Sequence, residues 1–347
     1  MKRMSLLLGS VLIGLLMAEG ILRWREEAWK NAVHFEAGFR WLEYDPVLGW
    51  RNTPGFRDGD IVINSLSFRG PPTATQKRAG TLRVVCAGDS RTFGTWLDSR
   101  RVRFDNAYPP LLQAMAAATG TARPEVINAG VIGYSSAQGL RQFQMRILAL
   151  DPDVLVVSFG FNDHAYAWNA ALRSLEPRTP WARALLYRFG DVRTVQFGLR
   201  LYQGLAPHPA PFAVRWVDPD EYGYNLRRFA EVSRRHGVRL VFLTQALRPI
   251  EQGDSPPAFP TEQRPDPYAI IGARDLADLH RLAGEYQGVL RRVAAETDTP
   301  VADAAAAFAA HRGGPLFGRY DLVHPNPAGA RLIAQTVYAT LHDIGAL

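Results

Sequence analysis

From residue 81 onward the chain alternates short, nearly continuous apolar runs with longer stretches of helical periodicity. No other feature narrows its folding as much. The apolar runs are Leu82–Ala87, Val126–Ala129, Val154–Phe159, Leu240–Thr244 and Val301–Ala304. The intervening stretches, at about 106–119, 135–149, 219–236, 275–297 and 326–342, read as helices. Strands that are apolar on both faces need cover on both faces, and strands alternating with helices give a parallel sheet between helical layers. The expected fold class is α/β, with a mostly parallel five-stranded sheet.

The remaining segments are assigned around that unit. With 347 residues, length alone allows about two domains. One α/β domain over 81–345 uses most of the chain, interrupted at about 165–214 by an Arg- and aromatic-rich insertion with Trp168, Trp181, Tyr187, Phe189 and Phe197. A second, Pro-rich gap lies at 249–267. Residues 31–80 read as a β-rich layer whose short runs are broken by Pro and Gly, closing in a polar linker at 71–80. Residues 1–30 open with Lys2-Arg3 and an apolar run from Met4 to Ala18, extendable to Trp24. As a helix that run is about 31 Å long and spans a bilayer core. Leu16-Met17-Ala18 makes a poor cleavage site, so an uncleaved signal anchor is preferred to a cleaved, secreted form. Arg23, Arg25 and Lys30 weaken the charge asymmetry, yet Lys2 and Arg3 still favour a body outside the cytoplasm, periplasmic or on the cell surface.

Composition excludes several classes. The formal charge is +7, but the 40 basic residues are 37 Arg and 3 Lys, scattered without a basic block. Arginine is used generically, and no nucleic-acid partner is expected. The single Cys86 excludes an intrachain disulfide framework and multi-cysteine metal sites. No His-Glu-x-x-His or phosphate-binding Gly-x-x-x-x-Gly-Lys occurs, so neither metal nor cofactor is expected.

Function in an open parallel sheet lies beyond the carboxyl ends of the strands. The first strand runs into Gly88-Asp89-Ser90, the second into a turn ending at Gly133, and the third into Gly160-Phe161-Asn162-Asp163. Asp321-Leu322-Val323-His324-Pro325 precedes the last helix. A serine needs a base to become nucleophilic. His324 can serve, and of the eight histidines it alone has an acid three residues earlier, Asp321, to hold its ring. The Ser90 and Gly133 N–H groups and the Asn162 amide can form an oxyanion hole. Each block alone has an ordinary reading as a turn or helix cap; four in order do not. Arg91, Asp163 and His164 are candidates for touching substrate, whereas Cys86 reads as a small core residue.

These four blocks resemble the SGNH hydrolase superfamily, also called the GDSL esterase/lipase superfamily, over about residues 81–343. The departure is Arg91, where the pattern usually has Leu. The resemblance implies a flavodoxin-like three-layer α/β/α sandwich, Ser90 as nucleophile, His324 as general base, Asp321 as its orienting acid, and an oxyanion hole of Ser90, Gly133 and Asn162. It implies a serine ester hydrolase, here expected as a bacterial membrane-anchored member acting on acylated carbohydrate. An O-acetyltransferase of surface polysaccharide, a lipid esterase and a non-catalytic binding protein of the same fold are the alternatives.

Overall fold

The computed structural model describes residues 2–30, 40–45, 47–98, 101–118, 123–164, 215–249, 276–318 and 321–347, with scattered positions between 181 and 201; side chains of residues 2–8, 26–30, 44 and 276 are not described. Two compact units are present, one from residues 1–53 and 169–210, the other from 54–168 and 211–347.

The smaller unit holds helix α1 (Lys2–Lys30) and an antiparallel hairpin of β1 (Leu42–Asp45) and β2 (Gly49–Asn52). On α1 the side chains of Val11, Leu12, Ile13, Leu15, Leu16, Met17 and Ile21 are exposed. The Glu19 carboxylate accepts hydrogen bonds from the backbone N–H groups of Arg193 (3.0 Å) and Thr194 (2.9 Å). Among the described residues no helix is long and apolar enough to cross a membrane. The spanning run expected from Met4 has its first five side chains outside those residues, as do most of the 165–214 insertion and the 250–275 gap.

The larger unit begins with a small ladder, β3 (Arg57–Asp58) and β4 (Ile61–Val62). Its centre is a parallel sheet of β5 (Thr81–Gly88), β8 (Arg123–Gly130), β9 (Val154–Ser158), β10 (Arg239–Leu243) and β11 (Val301–Ala302), in spatial order β8-β5-β9-β10-β11. That is the flavodoxin-like 2-1-3-4-5 arrangement, whose direction reverses between its first and third strands. Every residue of β9 is buried, and β5 is buried from Arg83 to Gly88. Helices α3 (Tyr108–Ala117), α5 (Pro219–Arg235), α6 (Leu276–Thr297) and α8 (Pro327–Asp343) follow the expected periodicity. Val84, Cys86, Val154, Val156 and Val241 pack with Leu112, Ala334, Val337 and Leu341 as one core cluster.

Three local features depart from the expected elements. The 135–149 helix is α-helical only as α4 (Ser136–Gln142), followed by a π turn (Phe143–Ile147) and a 3₁₀ turn (Leu148–Leu150). The last strand stops at Ala302 because the Asp303 side chain accepts from the Ala306 N–H and starts α7 (Ala304–Ala310). A hairpin of β6 (Trp96–Asp98) and β7 (Arg101–Arg103) had no sequence signal.

Candidate active site

The carboxyl ends of β5, β8 and β9 stand level, with Gly88 in register with both Gly130 and Ser158. This brings the first three blocks side by side at the topological switch point. Asp89 accepts from the Arg91 N–H (2.9 Å) and caps the single turn α2 (Ser90–Phe93). That turn sits directly on β8, because a Cβ at Gly130 would lie 2.4 Å from the Phe93 nitrogen. Only glycine leaves room for the approach.

The structure brings Ser90, His324 and Asp321 together. The Ser90 Oγ is 2.9 Å from His324 Nε2, and His324 Nδ1 lies 3.2 and 3.1 Å from the two Asp321 oxygens. Asp321 Oδ1 also accepts the backbone N–H groups of Val323 (3.0 Å) and His324 (2.8 Å), and Oδ2 that of Leu97 (3.0 Å). Burial pushes the Asp321 carboxyl up, but the charge of His324 and these hydrogen bonds bring it below the usual range. An ionised acid thus faces Nδ1, leaving Nε2 free to accept a proton from Ser90.

Gly133 closes the second block with φ +80°, a backbone shape that disfavours other residues. Asn162 Nδ2 donates to the Tyr134 carbonyl (3.0 Å), tying the third block to the Gly133 turn. An amide carries two N–H bonds, so one remains for a ligand. Ser90, Gly133, Asn162 and His324 are half-buried, whereas Asp89, Asp163 and Asp321 are buried.

The three substrate-contact candidates are all buried. Asp163 is fully buried, and its carboxylate accepts from the Ser136 N–H (2.9 Å) and hydroxyl. It tethers the start of α4. Burial raises its carboxyl to about 7, although the Ser136 hydrogen bonds work the other way. His164 is fully buried, edge-on to Phe161 and Tyr286 with centroids 4.9 and 5.8 Å away. Arg91 is buried as well, its guanidinium 5.0 Å from the Phe161 ring centroid. Cys86 is in the core, where burial pushes its thiol up to about 12.

Two supporting residues escaped sequence reasoning. Gln245 Nε2 donates to Asp89 Oδ2 and its Oε1 accepts the Phe161 N–H, both at 2.9 Å. It joins the first block to the third from the end of β10, and that strand-end position was its only available signal. Asn106 Nδ2 donates to the Pro325 carbonyl (2.7 Å) and steadies the His324 loop.

The family model described as the GDSL-like lipase/acylhydrolase family matches residues 86–332. No curated protein matches the chain. Among solved structures, the chain is similar to the lipase/acylhydrolase from Enterococcus faecalis, at 18% identity over 76% of this chain and 96% of that one, with a TM-score of 0.45. It is similar to a catalytic mutant of an acetylxylan esterase from Geobacillus stearothermophilus, at 18% identity over 78% and 97%, with a TM-score of 0.46. An α/β hydrolase from the metagenome of Lake Arreo, Spain, is 19% identical over 75% and 94%, with a TM-score of 0.45.

Proposed function

Because the chain belongs to the GDSL-like lipase/acylhydrolase family, we propose that it is a serine hydrolase cleaving carboxylic esters through an acyl-enzyme. The observation that carries this reading is the 2.9 Å contact of Ser90 Oγ with His324 Nε2, backed by Asp321 on the other ring nitrogen. Ser90 Oγ attacks the acyl carbonyl as Nε2 takes its proton. The oxyanion is held by the Ser90 and Gly133 N–H groups and the Asn162 amide. His324 then gives the proton to the departing alkoxide. Water, deprotonated by the same ring, attacks the acyl-enzyme and releases the acid.

The substrate proposed is a short-acyl ester on envelope or extracellular carbohydrate, in keeping with a site whose serine and histidine are partly open to solvent. The body would stand outside the cytoplasm on α1, whose exposed apolar side chains, joined in the same unit by exposed Trp181, Phe189, Phe197 and Leu201, suit a lipid environment.

A nitrophenyl ester series run beside acetylated polysaccharides tests the reading. We expect turnover with short acyl chains and none from Ser90→Ala. Full activity of purified, folded Ser90→Ala ends it. A clear optimum at long chains replaces carbohydrate by lipid, and acyl transfer to glycan exceeding hydrolysis replaces hydrolase by transferase.

A further inference from the structure

Arg83 and Arg91 are both buried in the larger unit, but they are built differently. Arg83, 1% exposed, places Nε on Glu125 (2.8 Å), Nη1 on the Thr75 carbonyl (3.0 Å) and Nη2 on the Ala74 carbonyl (2.9 Å). Its charge and its donors are both satisfied. Arg91, 7% exposed, has no hydrogen-bond partner on any of its three guanidinium nitrogens among the described residues. Its compensation is the Phe161 ring face and the fields of Asp89 and Asp321. Both carboxylates are already engaged, Asp89 by the Arg91 N–H and Gln245, Asp321 by His324.

A guanidinium has five N–H donors, and drying them without partners is strongly unfavourable. Arg91 lines a cavity with Phe161, His164, Gln245, Tyr286 and Gln287, whose volume is about 20 Å³. A water needs roughly 10–15 Å³ of such space, so the cavity takes one small polar group. The residue adjoins the nucleophile in sequence, and Phe161 adjoins Asn162.

We propose that Arg91 anchors a specificity subsite for a small carboxylate carried by the ester substrate. A planar carboxylate matches the guanidinium fork with two parallel hydrogen bonds. A phosphate group, tetrahedral and bearing up to two charges, is matched less well by a single cation. The substrate-borne source rests on the ester-hydrolase reading; the anion site itself rests on the buried, unpartnered guanidinium.

The test has two arms on the full chain. In the first, the melting temperature of Ser90→Ala is followed against succinate, with sodium chloride at matched ionic strength. A succinate-specific rise is expected, absent from Ser90→Ala/Arg91→Leu. In the second, kcat/KM is compared for 4-nitrophenyl hemisuccinate and neutral 4-nitrophenyl butyrate. The charged-to-neutral ratio should fall on the order of 10- to 100-fold in Arg91→Leu, and less in Arg91→Lys. An unchanged ratio in folded Arg91→Leu overturns the proposal, as does equal stabilisation by chloride and succinate. If Arg91→Leu does not fold, Arg91→Lys and the succinate titration decide. Failure of the enzyme on both esters, with succinate stabilisation intact, overturns the hydrolase reading and leaves the carboxylate site standing.

Discussion

In the proposed mechanism the Ser90 hydroxyl passes its proton to His324, and Asp321, held on the other ring nitrogen, stabilises the resulting imidazolium. Asp321→Asn keeps the shape of the acid but offers an amide that can impose the wrong ring tautomer. We expect kcat to fall on the order of 10³- to 10⁴-fold, with the near-ultraviolet circular dichroism unchanged. Asn162→Ala removes one of the three proposed oxyanion donors and should lower kcat on the order of 10²-fold with little change in KM. A loss confined to KM would remove Asn162 from that role. Residue identity and spacing made these groups readable in the sequence, because block and function are local. The environment of Arg91 was not readable: a cation next to a cleft serine reads as exposed until Phe161, 70 positions on, is seen to cover it.

The elements position these groups through close backbone approach. Gly130→Ala places a methyl 2.4 Å from the Phe93 nitrogen, so α2 and Ser90 must shift. A misplacement of about 1 Å can cost 10²-fold in rate, and we expect a loss of that order in kcat/KM from a protein that still folds. Wild-type kinetics in Gly130→Ala would show that α2 has slack. The five strands were legible because double-sided burial writes itself as apolar runs, and α3, α5, α6 and α8 because their periodicity is unbroken. The β6–β7 hairpin was not legible. Its strands are three residues each, and Arg101, Val102 and Arg103 are all exposed, so no burial pattern marks it. The link made by Gln245 between Asp89 and Phe161 spans 156 and 84 positions. Such tertiary pairing leaves no local trace.

At the scale of the whole molecule, Asp163 ties stability to pH. Its carboxyl is raised from 3.8 to about 7 by burial, so between those values the folded chain binds more protons than the unfolded one. Stability should therefore fall as pH rises from about 4 to about 7, then level off. Asp163→Asn lacks this titration, so its melting temperature minus that of the wild type should grow across the window. A difference independent of pH would mean that Asp163 stays ionised throughout. The separation of Ser90 from His324, 234 positions along the chain, has a consequence in time. A parallel sheet forms through long-range closures, and chains made in the N-to-C direction complete their later segments last. The proposed nucleophile is therefore synthesised well before its proposed base. On the proposed mechanism, a nascent or prematurely stopped chain carries a serine without its base, and the onset of ester turnover reports the arrival of the final segment.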